Sequence, residues 1–148
     1  MTMIDGEKPP GPLTQYSGFL LNWVAGRSRM RFAEALAEEG LHPREFAALT
    51  IVATRPGLTQ HDLAAAAEID ASTLVATLDA LEQRGLAERR ILPQDRRKRA
   101  IHLTLEGEAA LRRGRALAKR IGDELFGTLD ATERRQFELL LRKLAGVG

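Results

Sequence analysis

The sequence predicts a mainly α-helical chain with one small β-hairpin, flanked by longer helices at both ends. Two observations carry this prediction. Apolar residues recur at helical spacing over most of the 148 residues. The pattern becomes strand-like only between residues 86 and 104, around the basic stretch ERRILPQDRRKRAIHLT. A chain of this length can fold as one domain with a hydrophobic core.

Composition excludes several classes of site. The chain has no cysteine, so disulfides, thiolate zinc sites and a cysteine nucleophile are excluded. No apolar run approaches the roughly 20 residues that span a bilayer, and the first twelve residues lack the apolar core of a signal peptide. We therefore expect a cytoplasmic protein that does not enter a membrane, with residues 1–12 as a disordered lead-in and residues 13–148 as a single domain.

The first predicted helix follows apolar residues spaced from Tyr16 to Met30, and Gly40 is suited to ending it near Glu39. Pro43 occupies a favourable first position of a second helix. That helix has an apolar stripe of Phe46, Leu49 and either Val52 or Ala53, and it ends at Pro56-Gly57. His42 stands at its N-cap, where we expect a weaker cap than Ser or Thr would give.

Two short helices follow, and each has a marked start. Thr59 is the predicted N-cap of one, with Asp62 three residues later, and Asp70 is the predicted N-cap of the other. The intervening AAAAEI is predicted to be a tight turn. An inward stripe of Leu74, Leu78 and Leu81 runs along the second helix, which Gly85 closes.

Residues 86–92 and 99–104 are predicted strands, joined by a connection, PQDRRK, that is longer than two residues. Ile101 and Leu103 are placed on one side of the second strand. Thr104 is expected to cap a long helix with Leu111, Ala118, Ile121 and Leu125 inward, and a capping box from Asp130 to Glu133 starts the last helix. The apolar stripes of residues 13–39 and 105–146 are larger than the small unit between them can cover. The helices in these two ranges are therefore predicted to form the interface of a homodimer.

The middle of the chain therefore predicts a winged helix–turn–helix over residues 43–104, with the positive charge on its wing. Seven basic residues lie between Arg84 and Arg99 against only Glu88 and Asp95. A helix fits the major groove of DNA, and a basic hairpin tip can enter the minor groove. The alternative is that basic residues at a hairpin tip prevent edge-to-edge aggregation. We expect double-stranded DNA as a partner.

These residues resemble the MarR family of transcriptional regulators over residues 16–146. The resemblance depends mainly on Asp95-x-Arg97 followed by Leu103-Thr104-x-x-Gly107, after Glu82-x-x-Gly85-Leu86. It implies a dimer that binds a pseudopalindromic operator, often a repressor released by a small anionic or phenolic ligand. It also implies that Arg97 enters the minor groove while Arg96 and Lys98 lie near phosphates. Asp95 would hold Arg97 or a neighbouring arginine by a charged hydrogen bond, or else form the turn.

The predicted recognition helix departs from this pattern because it has no cation between Asp70 and Gln83. Helical spacing predicts these outward positions: Ser72, Thr73, Ala76, Asp79, Ala80 and Gln83. Ser72 and Thr73 can bond phosphates or bases, and Ala76 can touch a thymine methyl group. Asp79 would repel phosphate unless Arg84 pairs with it. With Thr59 and Gln60 of the preceding helix, these are the candidate DNA contacts, and affinity should depend on the wing.

Trp23, Arg27 and His42 are candidates for a ligand site, although Trp23 also fits a core position. The three histidines lie on separate elements, so we expect no metal site, and no cofactor or catalytic constellation is recognisable. We therefore expect that the protein is not an enzyme. The basic run Arg112, Arg113, Arg115, Lys119 and Arg120 is interpreted as a solvated helix face. The alternative function is a winged-helix module for protein–protein contact without a specific DNA target.

Overall fold

The computed structural model describes residues 8–148, and their order of elements confirms a mainly helical fold with one antiparallel hairpin. Of the predicted lead-in, residues 1–7 lie outside the described residues. The elements are a 3-10 turn at Gly11–Leu13, α1 (Ser17–Glu38), α2 (Pro43–Thr54), α3 (Gln60–Ala67), α4 (Ala71–Gln83), β1 (Ala87–Leu92), β2 (Asp95–Leu103), α5 (Leu105–Leu125) and α6 (Ala131–Leu144).

The described residues form two compact units. One comprises residues 8–31 and 118–148, and the other comprises residues 32–117, so α1 and α5 each contribute to both. The single domain over residues 13–148 stays a prediction. Among the helices of residues 8–148, none combines the length and the apolar character needed to cross a bilayer.

The unit of residues 32–117 has a leucine-rich core contributed by helices and wing alike. Val52 rather than Ala53 is the buried residue near the end of α2. The largest fully buried side chains are Leu36, Leu49, Leu63, Leu74, Leu78, Leu81 and Ile101. The predicted inward stripe of α4 is therefore confirmed, and the opposite face of that helix is left to solvent.

The start of α2 is capped more completely than the sequence suggested. His42 Nδ1 accepts a hydrogen bond from the backbone N–H of Arg44 at 3.2 Å. The carboxylate of Glu45 accepts one from the backbone N–H of His42 at 2.9 Å, which completes a capping box. The imidazole thus supplies an acceptor where Ser or Thr would supply a hydroxyl, and its strength relative to such a cap stays a prediction.

The junction between wing and α5 requires glycine at position 107. Thr104 caps α5 as predicted, with its Oγ1 accepting from the N–H of Gly107 at 3.0 Å. The N–H of Thr104 donates to the carbonyl of Leu86 at 3.2 Å. A Cβ on Gly107 would lie 1.8 Å from that carbonyl oxygen. The Leu-Thr-x-x-Gly pattern is thus a close packing of the first turn of α5 on the end of the α4–β1 connection.

In the unit of residues 8–31 and 118–148, α6 begins with the predicted capping box between Asp130 and Glu133. Asp123 accepts hydrogen bonds from Arg134 at 2.6 Å and from Lys119 at 2.7 Å. These two bonds, the one from Lys119 more than the one from Arg134, hold the pKa of the Asp123 carboxyl below its usual range. Ala118 is exposed, against the prediction that it faces inward, whereas Ile121 is buried.

Candidate nucleic-acid interface

The first helix of the helix–turn–helix is tied to the wing at its start. Thr59 caps α3 by accepting from the N–H of Asp62 at 3.1 Å, as predicted. Its hydroxyl also donates to the Asp62 carboxylate at 2.7 Å, and this bond is the main reason why the pKa of Asp62 is lowered. Thr59 forms an isolated bridge with Ala100, and the carbonyl of Leu58 accepts from the N–H of Ile101. Ala100 is buried at this bridge.

The turn between the two helices is shorter than predicted. The residues Ala64–Ala67 continue α3 instead of forming the turn, since alanine has the highest helix propensity. The change of direction falls on Glu68, whose φ of 53° is left-handed, and its N–H donates to the carbonyls of Ala64 and Ala65. Asp70 is the N-cap of the next helix, so only residues 68 and 69 lie between α3 and the cap of α4.

Asp70 organises the start of the recognition helix α4. Its carboxylate accepts from the N–H of Thr73 at 2.9 Å, which confirms the predicted cap. It also accepts from the hydroxyl of Ser72 and from the hydroxyl of Thr73 at 2.6 Å. These bonds, Ser72 first, hold the pKa of Asp70 well below its usual range. Both hydroxyl protons are engaged, so each hydroxyl can take part in a further hydrogen bond only as an acceptor.

The solvent-facing side of α4 is neutral and partly apolar in its first two turns. Ser72 and Ala76 are exposed as predicted, and Val75 joins them with 37% of its surface accessible. Val75 is not among the outward positions predicted for α4, because an apolar β-branched residue is ordinarily counted toward the core. Its position between Ser72 and Asp79 at helical spacing is the signal that identifies it.

The acidic residue on this face is neutralised from the wing, not from the end of its own helix. Arg89 on β1 donates to Asp79 at 2.8 Å and also pairs with Glu82, whose carboxylate accepts from the backbone N–H of Arg89 at 2.9 Å. The predicted partner, Arg84, instead pairs with the buried Glu45 of α2 at 2.9 Å. The prediction that Arg84 pairs with Asp79 is wrong, because folding brings the partner of Asp79 from a different element, β1.

The wing places its basic residues in an irregularity of the ladder. Ile91 is opposite Arg99, but the next residue, Leu92, is opposite Asp95. Arg96, Arg97 and Lys98 therefore bulge without partners across the hairpin, and only Pro93 and Gln94 connect the strands. The prediction that residues 93–98 form a long connection is wrong, since the last four of these residues belong to β2.

Charge on the wing is unevenly neutralised. Arg89 and Arg90 have acidic partners, the second being Glu88. Among the described residues, none of Arg96, Arg97, Lys98 and Arg99 forms an ion pair; Arg99 donates instead to the carbonyls of Arg96 and Lys98. Asp95 accepts from the backbone N–H of Arg97 at 3.1 Å, which is the turn-forming alternative. Four adjacent cations thus face solvent.

A cleft of about 400 Å³ brings two groups of predicted DNA contacts together. It is lined by Thr59, Gln60 and Asp62 on the helix side and by Arg97, Lys98 and Arg99 on the wing side. Lys98 contributes to lowering the pKa of Asp62 across this cleft. Ser72, Thr73 and Ala76 form a separate group at the start of α4.

The three candidate ligand residues are distributed over both units. Trp23 is half-buried in the unit that contains the termini, 6.2 Å from Phe19 between ring centroids. The guanidinium of Arg27 lies over its ring at 5.6 Å, a cation–π geometry. His42 belongs to the unit of residues 32–117, where its Nδ1 serves the cap of α2. Within residues 8–148 there is no group of three or more His, Cys, Asp or Glu side chains arranged to hold a metal ion.

A helix–turn–helix followed directly by a basic hairpin defines the class of winged-helix DNA-binding proteins. The sequence model of the MarR family matches residues 41–98, which cover this unit. The chain belongs to the MarR family and is a DNA-binding transcriptional regulator rather than an enzyme.

Named relatives agree with this assignment. The transcriptional regulator HosA of Escherichia coli O111:H- is 34% identical over 100 residues, which are 68% of this chain and 74% of HosA. A Thauera aromatica protein described as a candidate regulator of the hcr operon is 35% identical over 106 residues, but the match spans only 64% of its length. A solved MarR family protein of Mycobacterium tuberculosis in complex with DNA superposes with a TM-score of 0.77 at 29% identity, covering 87% of this chain and 97% of that one.

Proposed function

We propose that this regulator is a repressor, which binds a pseudopalindromic operator as a homodimer and leaves it when a small aromatic or anionic ligand binds. The observation that carries the DNA-binding surface is the run Arg96–Arg99, four cations without an ion-pair partner in residues 8–148. Phosphate oxygens are the natural partners for such charges. A cytoplasmic location, where a bacterial chromosome is accessible, is part of this proposal.

The wing supplies most of the affinity. Arg97 enters the minor groove, and Arg96 and Lys98 bind phosphates on either side of it. Asp95 shapes the turn through its bond to the N–H of Arg97. Gln60 and Thr59, which share the cleft with Arg97 and Lys98, contact the same backbone from α3.

The recognition helix reads bases without a cation. Because Asp70 takes the hydroxyl protons of Ser72 and Thr73, their oxygens act as acceptors toward the amino groups of adenine or cytosine. Exposed Val75 and Ala76 provide apolar surface for thymine methyl groups. Specificity then comes from shape and methyl contacts, and it is modest.

The terminal unit carries the homodimer interface. One apolar groove of about 530 Å³ is lined by exposed large apolar side chains, which are Leu20, Leu21 and Val24 of α1 and Leu140 and Leu144 of α6. A second copy of this chain presents the same apolar surface, as a two-fold interface requires. Two recognition helices spaced by about 34 Å would then meet successive major grooves.

The ligand site is proposed at Trp23 and Arg27, where an aromatic ring and a guanidinium lie together. An aromatic carboxylate would stack on the ring and pair with the cation. His42, the third candidate, belongs to the other unit and caps α2 through its Nδ1, so it is not part of this site.

The test is a fluorescence-anisotropy titration of DNA taken from upstream of the chain's own gene, against scrambled DNA, at several salt concentrations. We expect tighter binding to the upstream DNA and a steep loss of affinity with salt. Analytical ultracentrifugation of the same protein should give twice 16.3 kDa. Binding to neither DNA would favour the winged-helix protein–protein module, and a monomer would remove the basis for a palindromic operator.

A further inference from the structure

Ile91 is a large apolar residue that the wing leaves in solvent. It lies near the end of β1, shortly before the turn at residues 93 and 94, and 56% of its surface is accessible. A single exposed apolar residue is ordinary on a protein surface. This one, however, lies directly across the hairpin from Arg99, beside the run Arg96–Arg99. None of the DNA contacts proposed above includes it.

The register of the hairpin decides which face carries Ile91. Residues paired directly across two antiparallel strands share a face, and so do alternate residues of one strand. Ile91 therefore shares a face with Arg89, Ile101 and Arg99. Ile101 is buried in the core, and Arg89 reaches α4 through Asp79. From the base of the wing to its tip, this face thus passes from the core to the contact with α4 and then to Ile91.

The two basic neighbours on this face are engaged elsewhere. The guanidinium of Arg99 donates to the backbone carbonyls of Arg96 at 2.9 Å and Lys98 at 3.4 Å. The guanidinium of Arg89 is held by the two acidic residues of α4. Ile91 consequently keeps more than half of its surface open on the side of the wing that is turned toward α4.

The charges around Ile91 indicate what covers it. A partner that covered Ile91 with apolar side chains would also bury part of Arg96–Arg99, which form no ion pair among residues 8–148. Burying unpaired cations costs more than one isoleucine contributes. A DNA strand instead offers phosphates to the cations, and its deoxyribose groups offer C–H surface to the isoleucine.

We propose that Ile91 packs on the deoxyribose groups of the DNA strand that separates the groove read by α4 from the groove entered by Arg97. One sugar–phosphate strand lies between a major groove and the adjacent minor groove. With α4 in one groove and the tip of the wing in the other, this strand passes between the two elements, where the face of Arg89 and Ile91 is turned. The inference rests on the docking of α4 and the wing in the proposed function.

A contact with sugars adds affinity that is independent of sequence and insensitive to salt. The wing is then more than an electrostatic element. Its cations bind phosphates and are screened by ions, while Ile91 excludes water from the same strand. This combination separates Ile91 from Val75, whose proposed methyl contacts depend on the base sequence.

The test is a fluorescence-anisotropy titration of upstream and scrambled DNA at several salt concentrations. Ile91→Ala should weaken binding to both DNAs by about five- to tenfold per half-site, since it removes three carbon atoms from the contact. The slope of log affinity against log salt should not change, because an apolar contact releases no counterion. Ile91→Val, which keeps the strand preference and most of the apolar surface, should bind nearly as the unmodified chain does. Leu105→Ala is the matched control, as Leu105 is exposed at the opposite end of the hairpin from the turn.

A gain of charge tests the position of Ile91 without relying on a loss of binding. Ile91→Lys places a cation beside the proposed strand, so it should steepen the salt slope by about 0.9 per half-site. Leu105→Lys adds the same charge to the same unit and should leave the slope unchanged.

The outcomes distinguish this inference from the proposed function. If Arg97→Ala weakens binding and Ile91→Ala does not, the sugar contact is wrong and the docked wing stands. If neither change affects binding to either DNA, the docking of the wing is wrong and the sugar contact is rejected with it. A loss confined to upstream DNA would make Ile91 a base contact, and a smaller sedimenting mass of Ile91→Ala would make it a contact between two copies; each would overturn the inference. Equal weakening on both DNAs, in a chain that does not distinguish them, would support the sugar contact and reject only the specific operator.

Discussion

Arg89 on β1 donates to Asp79 on α4 at 2.8 Å, so a wing residue offsets the negative charge of Asp79 on the recognition helix. The same guanidinium pairs with Glu82, and 19% of the Arg89 side chain is accessible against 52% of Asp79. The pair thus joins the wing to α4, the two elements proposed to contact DNA.

Arg89→Ala is expected to weaken DNA binding without removing a DNA contact, because it leaves Asp79 and Glu82 unpaired near phosphates. Asp79→Ala in the same chain should restore part of the loss. Titrations of both single variants and the double variant should give a coupling energy of about 0.5–3 kcal/mol. Strict additivity would mean that Arg89 acts by touching DNA itself.

Arg97→Ala is expected to cost about 1–3 kcal/mol of binding free energy per half-site, since it removes the proposed minor-groove contact. Lys98→Ala should instead lower the slope of log affinity against log salt by about 0.9 per half-site, because one phosphate contact is lost. Arg113→Ala is the matched control, as its charge is already paired with Glu39. A wing variant that behaves like this control would rule out the wing-dominated account.

Replacing operator thymines by deoxyuridine, which lacks the methyl group, is expected to weaken binding of the unmodified chain. Loss of one buried methyl contact is worth about 0.8 kcal/mol, or roughly fourfold in affinity. Val75→Ala should weaken binding similarly, and the affinity of this variant should not change when thymine is replaced by deoxyuridine. Leu105→Ala, at another exposed apolar position, should retain full sensitivity.

The N-caps and their spacing were predictable because a cap is a local interaction. Thr59, Asp70, Thr104 and Asp130 all accept from N–H groups two or three residues ahead, and sequence alone places those atoms together. The left-handed backbone conformation of Glu68 and the length of α3 were not predictable, since a run of alanines has no apolar periodicity to mark the end of the helix.

Ion-pair partners were the least predictable part of the candidate site. Arg84 and Arg89 lie five residues apart, yet one pairs with α2 and the other with α4. The choice depends on where the strand and helices lie after folding. The bulge at Arg96–Lys98 is similarly decided by pairing of Leu92 with Asp95, for which the alternation of apolar residues gives no sign.

Gly107→Ala is expected to destabilise the fold by about 1–3 kcal/mol, because its Cβ would overlap the backbone carbonyl of Leu86. Gly26→Ala, also within a helix but in ordinary contact only with the end of Arg29, should stabilise by about 0.5–1 kcal/mol. Urea unfolding monitored by circular dichroism measures both. Equal effects of the two changes would refute the close-packing explanation of Gly107.

Acid should weaken the start of α4 through Asp70. Its folded pKa lies below the ordinary value of 3.8, chiefly because of the Ser72 hydroxyl. Its hydrogen bonds therefore contribute fully above the unfolded pKa, and this contribution is lost as the pH falls through the folded pKa. Ser72→Ala should bring the two pKa values closer and flatten the dependence of unfolding free energy on pH. An unchanged dependence would mean that Asp70 is not held by this hydroxyl.

The concentration of unpaired charge on a three-residue bulge has a consequence for how the regulator searches a chromosome. In the proposed complex, the wing follows successive phosphates on any sequence, while α4, which has no charged residue before Asp79, binds only where methyl groups and amino groups match. Residence on random DNA and the rate of translocation along it then depend on three or four cations, and both respond to ionic strength. In the proposed complex, release from a matched site depends on the same cations and, in addition, on short-range contacts of α4 that salt barely screens. Scanning and stopping are thereby controlled by different elements of one small unit.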